Sequence, residues 1–121
     1  MKHLDTGKAG ETHAANYLTA KGYRIVERNF KAGRGEIDII AWQGTDVLVF
    51  VEVKTRAYDY FGGPEEAVGA KKQDMIARTA GLYMEKIGYE WAIRFDIIAV
   101  LMHQDKVKEV RHIEDAFFPG M

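Results

Sequence analysis

The chain has 121 residues, 47% hydrophobic and 29% charged, which suits one globular domain with one core and excludes wholesale disorder. It contains no cysteine, so a disulfide framework, a zinc knuckle and a thiol nucleophile are excluded. A formal net charge of −1 supplies no global attraction for nucleic acid, so any such binding must come from a local patch.

No apolar run approaches the roughly 20 residues of a membrane span. Residues 1–11 are polar and charged, without a signal-peptide core. A cytoplasmic protein without membrane contact is expected. Residues 4–21 read as a helix with Leu4, Ala14, Ala15, Tyr17 and Leu18 on its apolar face and Gly22 as the residue that ends it. Glu11 lies one turn before Ala14 and Ala15, near the buried side. It is either a solvated helix glutamate or an acidic group delivered to a site. Tyr23–Phe30 reads as a strand with alternating charges. Arg24, Arg28, Lys31 and Arg34 stand against Glu27 alone, a local excess of +3. Such a cluster either protects a sheet edge or contacts phosphates.

Lys31–Gly35 is a turn with two glycines, and Glu36–Trp42 is a second strand. Alternation places Glu36, Asp38 and Ile40 on one face and Ile37, Ile39 and Ala41 on the other. Aspartate is depleted in strands, so Asp38 between two isoleucines breaks a local rule, and such breaks often mark function. After a turn at Gln43–Asp46 comes Val47-Leu-Val-Phe-Val-Glu-Val-Lys-Thr-Arg56, a β-branched run that reads as a central strand covered on both faces. Glu52 and Lys54 share a side of it. Folding the hairpin about Gly44 and Thr45 brings Asp38 opposite position 51 or 52, beside Glu52. Adjacent carboxylates repel unless one takes a proton or a cation lies between them, and hard oxygen ligands select magnesium or manganese.

Ala57–Pro64 is a loop with Tyr58, Tyr60 and Phe61, which either caps the core or stacks on a base. Glu65–Ile87 reads as a second helix, with Pro64 before it and Val68, Met75, Ile76, Thr79, Leu82, Tyr83 and Ile87 toward the core. Lys72 shares that face, so its ammonium must snorkel or find a carboxylate. Trp91–Met102 is another central strand, parallel to the Glu52 strand because a helix crosses between them. Its Asp96 is expected to neutralise a nearby cation. Residues 106–113 form a polar edge strand.

The order α-β-β-β-α-β-β describes one α/β domain with a mixed sheet. An acidic residue followed across a hairpin by Glu-x-Lys matches the site of the PD-(D/E)XK nuclease superfamily. Gly10-Glu11, Arg28-Asn29-Phe30, Gly35-Glu-Ile-Asp38, Phe50–Arg56, Phe61-Gly62, Lys72-Gln73 and Arg94-Phe-Asp96 together resemble the YraN family. That bacterial family of poorly defined function is similar to archaeal Holliday junction resolvases. The resemblance covers almost the whole chain and implies a restriction-endonuclease-like fold. By analogy with the superfamily it implies metal-dependent cleavage of DNA, branched or junction DNA included, and a homodimer suited to a two-fold junction. Glu11, Asp38, Glu52 and Lys54 would then be catalytic. Asp38, Glu52 and the main-chain carbonyl of Val53 would hold Mg²⁺ or Mn²⁺. Arg24, Arg28, Lys31, Arg34, Arg56, Lys72 and Gln73 would contact nucleic acid. Neighbouring carboxylates oppose a lowered lysine pKa, so an electrostatic role is expected for Lys54 rather than that of a base. The rivals are a non-cutting module that binds nucleic acid or protein on the same fold, and a purely structural network of buried ion pairs.

Overall fold

The apolar runs line up as one sheet. The computed structural model describes residues 6–59 and 68–118. Helix α1 (Thr6–Ala20) precedes strands β1 (Arg24–Ala32), β2 (Gly35–Gln43) and β3 (Val47–Ala57). Helix α2 (Ala70–Ile87), β4 (Ile93–His103) and β5 (Lys106–Ile113) follow. The five strands stand side by side in chain order. All neighbours are antiparallel except β3 and β4, which are parallel and joined through α2. With a helix on each face of a mixed sheet, this is the restriction-endonuclease-like arrangement expected.

Alternation along β3 builds both halves of the core. Val49 and Val51 face α1, where Ala14, Ala15 and Leu18 pack on them with Ile39, Ile98 and Val100. Leu48 and Phe50 face α2, where Ile76, Ala80 and Tyr83 meet Ile40, Phe95 and Ile97. Gly22, at φ 92, ends α1, and the Tyr23 N–H closes back onto the Leu18 carbonyl.

Four boundaries or faces differ from the sequence-based expectation. Helix α2 starts at Ala70 rather than Glu65, because Gly69 is extended at ψ 170. The Gln73 side chain donates to the Val68 carbonyl and fastens the approach to the helix. Residues 60–67, which include Tyr60, Phe61, Pro64, Glu65 and Glu66, lie outside the described residues, as does Leu4. The buried face of α2 is narrow, comprising Ile76, Thr79, Ala80 and Tyr83, so Leu82 and Ile87 are 45% and 41% exposed. Trp91 is exposed and precedes β4, since the ladder with β3 begins at Leu48 opposite Ile93. Finally, Ile37 packs with Ile40 on the α2 side instead of with Ile39. Across from this point Asn29 adopts a left-handed φ of 54 and interrupts the regular pleat of β1.

Candidate active site

The site lies where the sheet forks. Strand β2 pairs with β3 from Gln43 opposite Val47 to Ile39 opposite Val51. Beyond that pair the strands part: β2 continues along β1 to Gly35, and β3 continues along β4 to Ala57. The Val53 N–H would be left without a ladder partner, and the Asp38 carboxylate takes it at 2.8 Å. That bond requires a short acceptor at position 38 and explains an aspartate inside an isoleucine-rich strand.

Glu52 is the next side chain of β3 after Phe50 on the α2 face and is buried. The Asp38 and Glu52 carboxyls hydrogen-bond to each other. Burial, then the bond to Glu52 and the negative charges of Glu52 and Glu11, push the Asp38 carboxyl up to about 8. Burial would raise Glu52 too, but the bond from Asp38 and the ammoniums of Lys72 and Lys54 outweigh it and hold Glu52 below its ordinary value. The shared proton therefore resides on Asp38, because the two cations belong to Glu52. Lys72 Nζ lies 2.5 Å and Lys54 Nζ 3.3 Å from Glu52 Oε2. Lys72 thus finds a carboxylate, one of the two options its place on the core face left open.

Lys54 departs from expectation. Burial, aided by the Lys72 ammonium, lowers its pKa despite the attraction of Glu52. Spacing along β3 shows the carboxylates near Lys54 but not Lys72, which comes to it from α2. Lys72 is held above its ordinary value, its bond to Glu52 outweighing burial.

Helix α1 brings Glu11 from the other face. Gly10 packs so closely on Thr55 of β3 that a Cβ there would collide with the threonine hydroxyl. The neighbouring Glu11 is half-buried, and its charge is felt at Asp38. Its Oε1 is buried with no hydrogen-bond partner among the described residues. Glu11 lines a cavity of about 480 Å³ together with Lys8, Asn29, Lys31 and Glu36. Asn29 and Glu36 were expected only as parts of the sequence motifs and not as site residues. The signal for Asn29 was an asparagine amid a strand, since asparagine tolerates positive φ.

These oxygens suit a hard divalent cation. A buried carboxylate oxygen without a partner and a carboxyl that retains its proton both mark a place short of positive charge. Among the described residues, no three acidic or imidazole groups already converge as a ready-made metal cluster. Glu52 is turned to its lysines instead.

The expected nucleic-acid contacts do not form one patch. Arg28 reaches Thr12 of α1, and Lys31 lines the cavity at Glu11, so both lie on the α1 side. Arg34 borders α2, and the charge of Arg24 is felt at Tyr83 of α2. The Arg56 guanidinium donates to the Thr55 carbonyl. Gln73 is engaged with Val68 as described. Near the start of β4, opposite Val51, Asp96 is fully buried and takes two bonds of 2.8 Å from Arg94. His112 approaches the same carboxylate at 2.7 Å, and the Asp115 N–H donates to it. Asp96 therefore neutralises a cation, as expected, and the histidine is an addition that spacing could not reveal.

A family model described as "Uncharacterised protein family UPF0102" matches residues 10–100. A UPF0102 protein of Thermodesulfovibrio yellowstonii is 43% identical over 118 residues, covering 98% of this chain and 100% of that protein. One from Symbiobacterium thermophilum is 50% identical over 112 residues, covering 92% and 94%. One from Chlorobaculum tepidum is 47% identical over 120 residues, covering 94% and 92%.

Proposed function

This chain belongs to the uncharacterised family UPF0102, the YraN family its motifs resemble, and from the chemistry of its fork we propose that it is a metal-dependent endonuclease acting on DNA, branched or junction DNA included. One observation carries the reading. The Asp38 and Glu52 carboxyls lie side by side where the ladder opens, beside a Glu11 oxygen that is buried without a hydrogen-bond partner among the described residues. Asp38, Glu52 and the Val53 carbonyl would hold Mg²⁺ or Mn²⁺, which acts as a Lewis acid at the scissile phosphate.

The chain's own residues do the rest. As a ligand Asp38 would be ionised. Glu52 would hold the ion in place of an ammonium. Glu11 completes the acidic set from α1. Lys54 orients the attacking water and steadies the negative charge that builds on the phosphate. The water oxygen bonds to phosphorus as its proton passes to bulk solvent, and the leaving strand oxygen departs with its bonding pair and takes a proton from solvent. Lys72, once released from Glu52, holds a neighbouring phosphate, as do Arg28 and Lys31 along the cavity at Glu11. A homodimer would present two such sites to a two-fold junction.

Cleavage assays with Mg²⁺ or Mn²⁺ on junction, flap and linear DNA test this, with Glu52→Ala beside the wild type. The expected result is cutting by the wild type and at least a hundredfold slower cutting by the variant, on the order of the loss when an electrostatic group is removed. Equal rates would remove the site. A non-cutting module on the same fold is favoured by one feature, the neutralisation of Glu52 by two lysines. Titration calorimetry separates the two readings, since the module needs no divalent ion even at millimolar concentration.

A further inference from the structure

A second cavity, of about 270 Å³, opens between the β1–β2 turn and α2. Its walls include Ala32, Arg34, Met75, Arg78, Thr79 and Leu82. The hollow exists because the turn carries glycines. A Cβ at Gly35 would collide with the Thr79 hydroxyl and the Met75 sulfur, so backbone and helix touch there and splay apart beyond it. Gly33, at φ 60, leaves the outer part of the turn without a side chain.

The lining combines two chemistries. Ala32, Met75 and Leu82 make an apolar floor, and Leu82 is 45% exposed at its rim. Arg34 and Arg78 supply two positive charges, and no carboxylate lines the cavity among the described residues. Neither arginine has an ion pair or hydrogen bond among the described residues. A bare anion has no use for the apolar floor, and an apolar peptide side chain has no use for two guanidiniums. A nucleotide uses both, with its base on the floor and its phosphate between the arginines. The volume falls just below the roughly 300–1,000 Å³ of pockets for larger ligands, which suits a single unit.

The position is set by two independent paths. Arg78 is six residues beyond Lys72 on α2, ~9 Å at the helical rise. Gly35 is three residues before Asp38 on β2, ~10 Å at the strand rise. Both equal about three nucleotides at the ~3.4 Å axial rise of one strand.

Resting on the DNA reading above, we propose that this cavity receives one unpaired nucleotide of the substrate strand, about three positions from the cleaved bond. A paired base is stacked and cannot enter, so the cavity selects DNA with an unpaired segment beside the cut. Arg78 and Leu82 then determine specificity without touching the reacting atoms.

Fluorescence anisotropy in EDTA tests it, with a blunt duplex and the same duplex bearing an unpaired flap. The proteins are the wild type, Leu82→Ala and the double variant Arg34→Ala/Arg78→Ala. The substituted cavity residues are all exposed, and circular dichroism checks that each variant is folded. The wild type should prefer the flap, and the double variant should bind the flap roughly tenfold more weakly while binding the blunt duplex as before. Leu82→Ala should shift the flap alone in the same direction. Unchanged flap binding, or equal losses on both DNAs, overturns the cavity's role and leaves Mn²⁺-dependent cleavage by the wild type as the separate measure of the nuclease reading. Wild-type protein that binds neither DNA overturns both.

Discussion

Asp38 retains its proton near neutral pH because it is buried and its carboxyl neighbours are negative, while the nearby ammoniums belong to Glu52. An asparagine there keeps an acceptor for the Val53 N–H and gains a donor for Glu52, so Asp38→Asn copies the protonated form. The sign of its effect follows from the raised pKa. Between the ordinary value of 3.8 and about 8, the unfolded carboxyl is ionised while the folded one holds its proton. This group therefore costs stability as pH rises through that window. Asp38→Asn should be more stable than the wild type at pH 7 by on the order of 1–2 kcal/mol, a small figure for a group that is only half-buried. Urea unfolding at pH 4.5 and pH 7 without divalent ions should show the gap widening with pH, and the variant should not cleave DNA. A gap that narrows would mean that Asp38 is ionised. The importance of Asp38 was legible from its misfit in a strand. The lowered pKa of Lys54 was not, because it needs Lys72, eighteen positions away on another element.

At the scale of elements, the site is produced by two strands that part and two helices that close on the opening from opposite faces. Helix α1 can reach it only because Gly10 allows backbone contact with Thr55. Gly10→Ala should lower stability: overpacking costs about 1–3 kcal/mol, while alanine returns no more than ~1 kcal/mol in helix propensity. Thr55→Ala in the same chain should recover most of the loss, and cleavage should fall with Gly10→Ala as Glu11 is pushed outward. Chemical denaturation of the two variants decides it, and wild-type stability in Gly10→Ala would mean the helix is not seated as described. The hairpin register followed from turn length and apolar pattern, so the Asp38–Glu52 neighbourhood was visible in advance. The start of α2 was not, because periodicity continues through Val68 although the backbone at Gly69 is extended.

Across the whole molecule, Asp96 ties distant parts of the chain together. Arg94 also bonds Tyr23 and Gln43, and His112 approaches Tyr17, so α1, its following turn, β2, β4 and β5 meet at one buried charge. Burial opposes ionisation of Asp96, but His112, Arg94 and the Asp115 N–H outweigh it and hold the carboxyl below its ordinary 3.8. Its stabilisation is therefore complete above that value and is lost as pH falls through the folded pKa. Asp96→Asn should cost about 3–5 kcal/mol at pH 7, as when one partner of a buried pair is removed. The variant's deficit should shrink as pH falls below 3.8 toward the lowered folded pKa, where the wild type loses the same charge. Thermal unfolding across pH 2–7 checks both statements, and a deficit independent of pH would assign the loss to packing.

Alternation, turn chemistry and the Glu-x-Lys spacing were enough to read the strand order, the parallel pair and the three charged groups at the fork, because each depends on neighbours within one hairpin or one crossover. Distances through space made the remaining assignments. They gave Lys72 to Glu52 and the proton to Asp38, left Glu11 Oε1 without a hydrogen-bond partner among the described residues, and divided the basic cluster between the two faces of the sheet. Charge interactions act through space and not along the chain, so groups far apart in sequence set one another's protonation only after the sheet and both helices are in place.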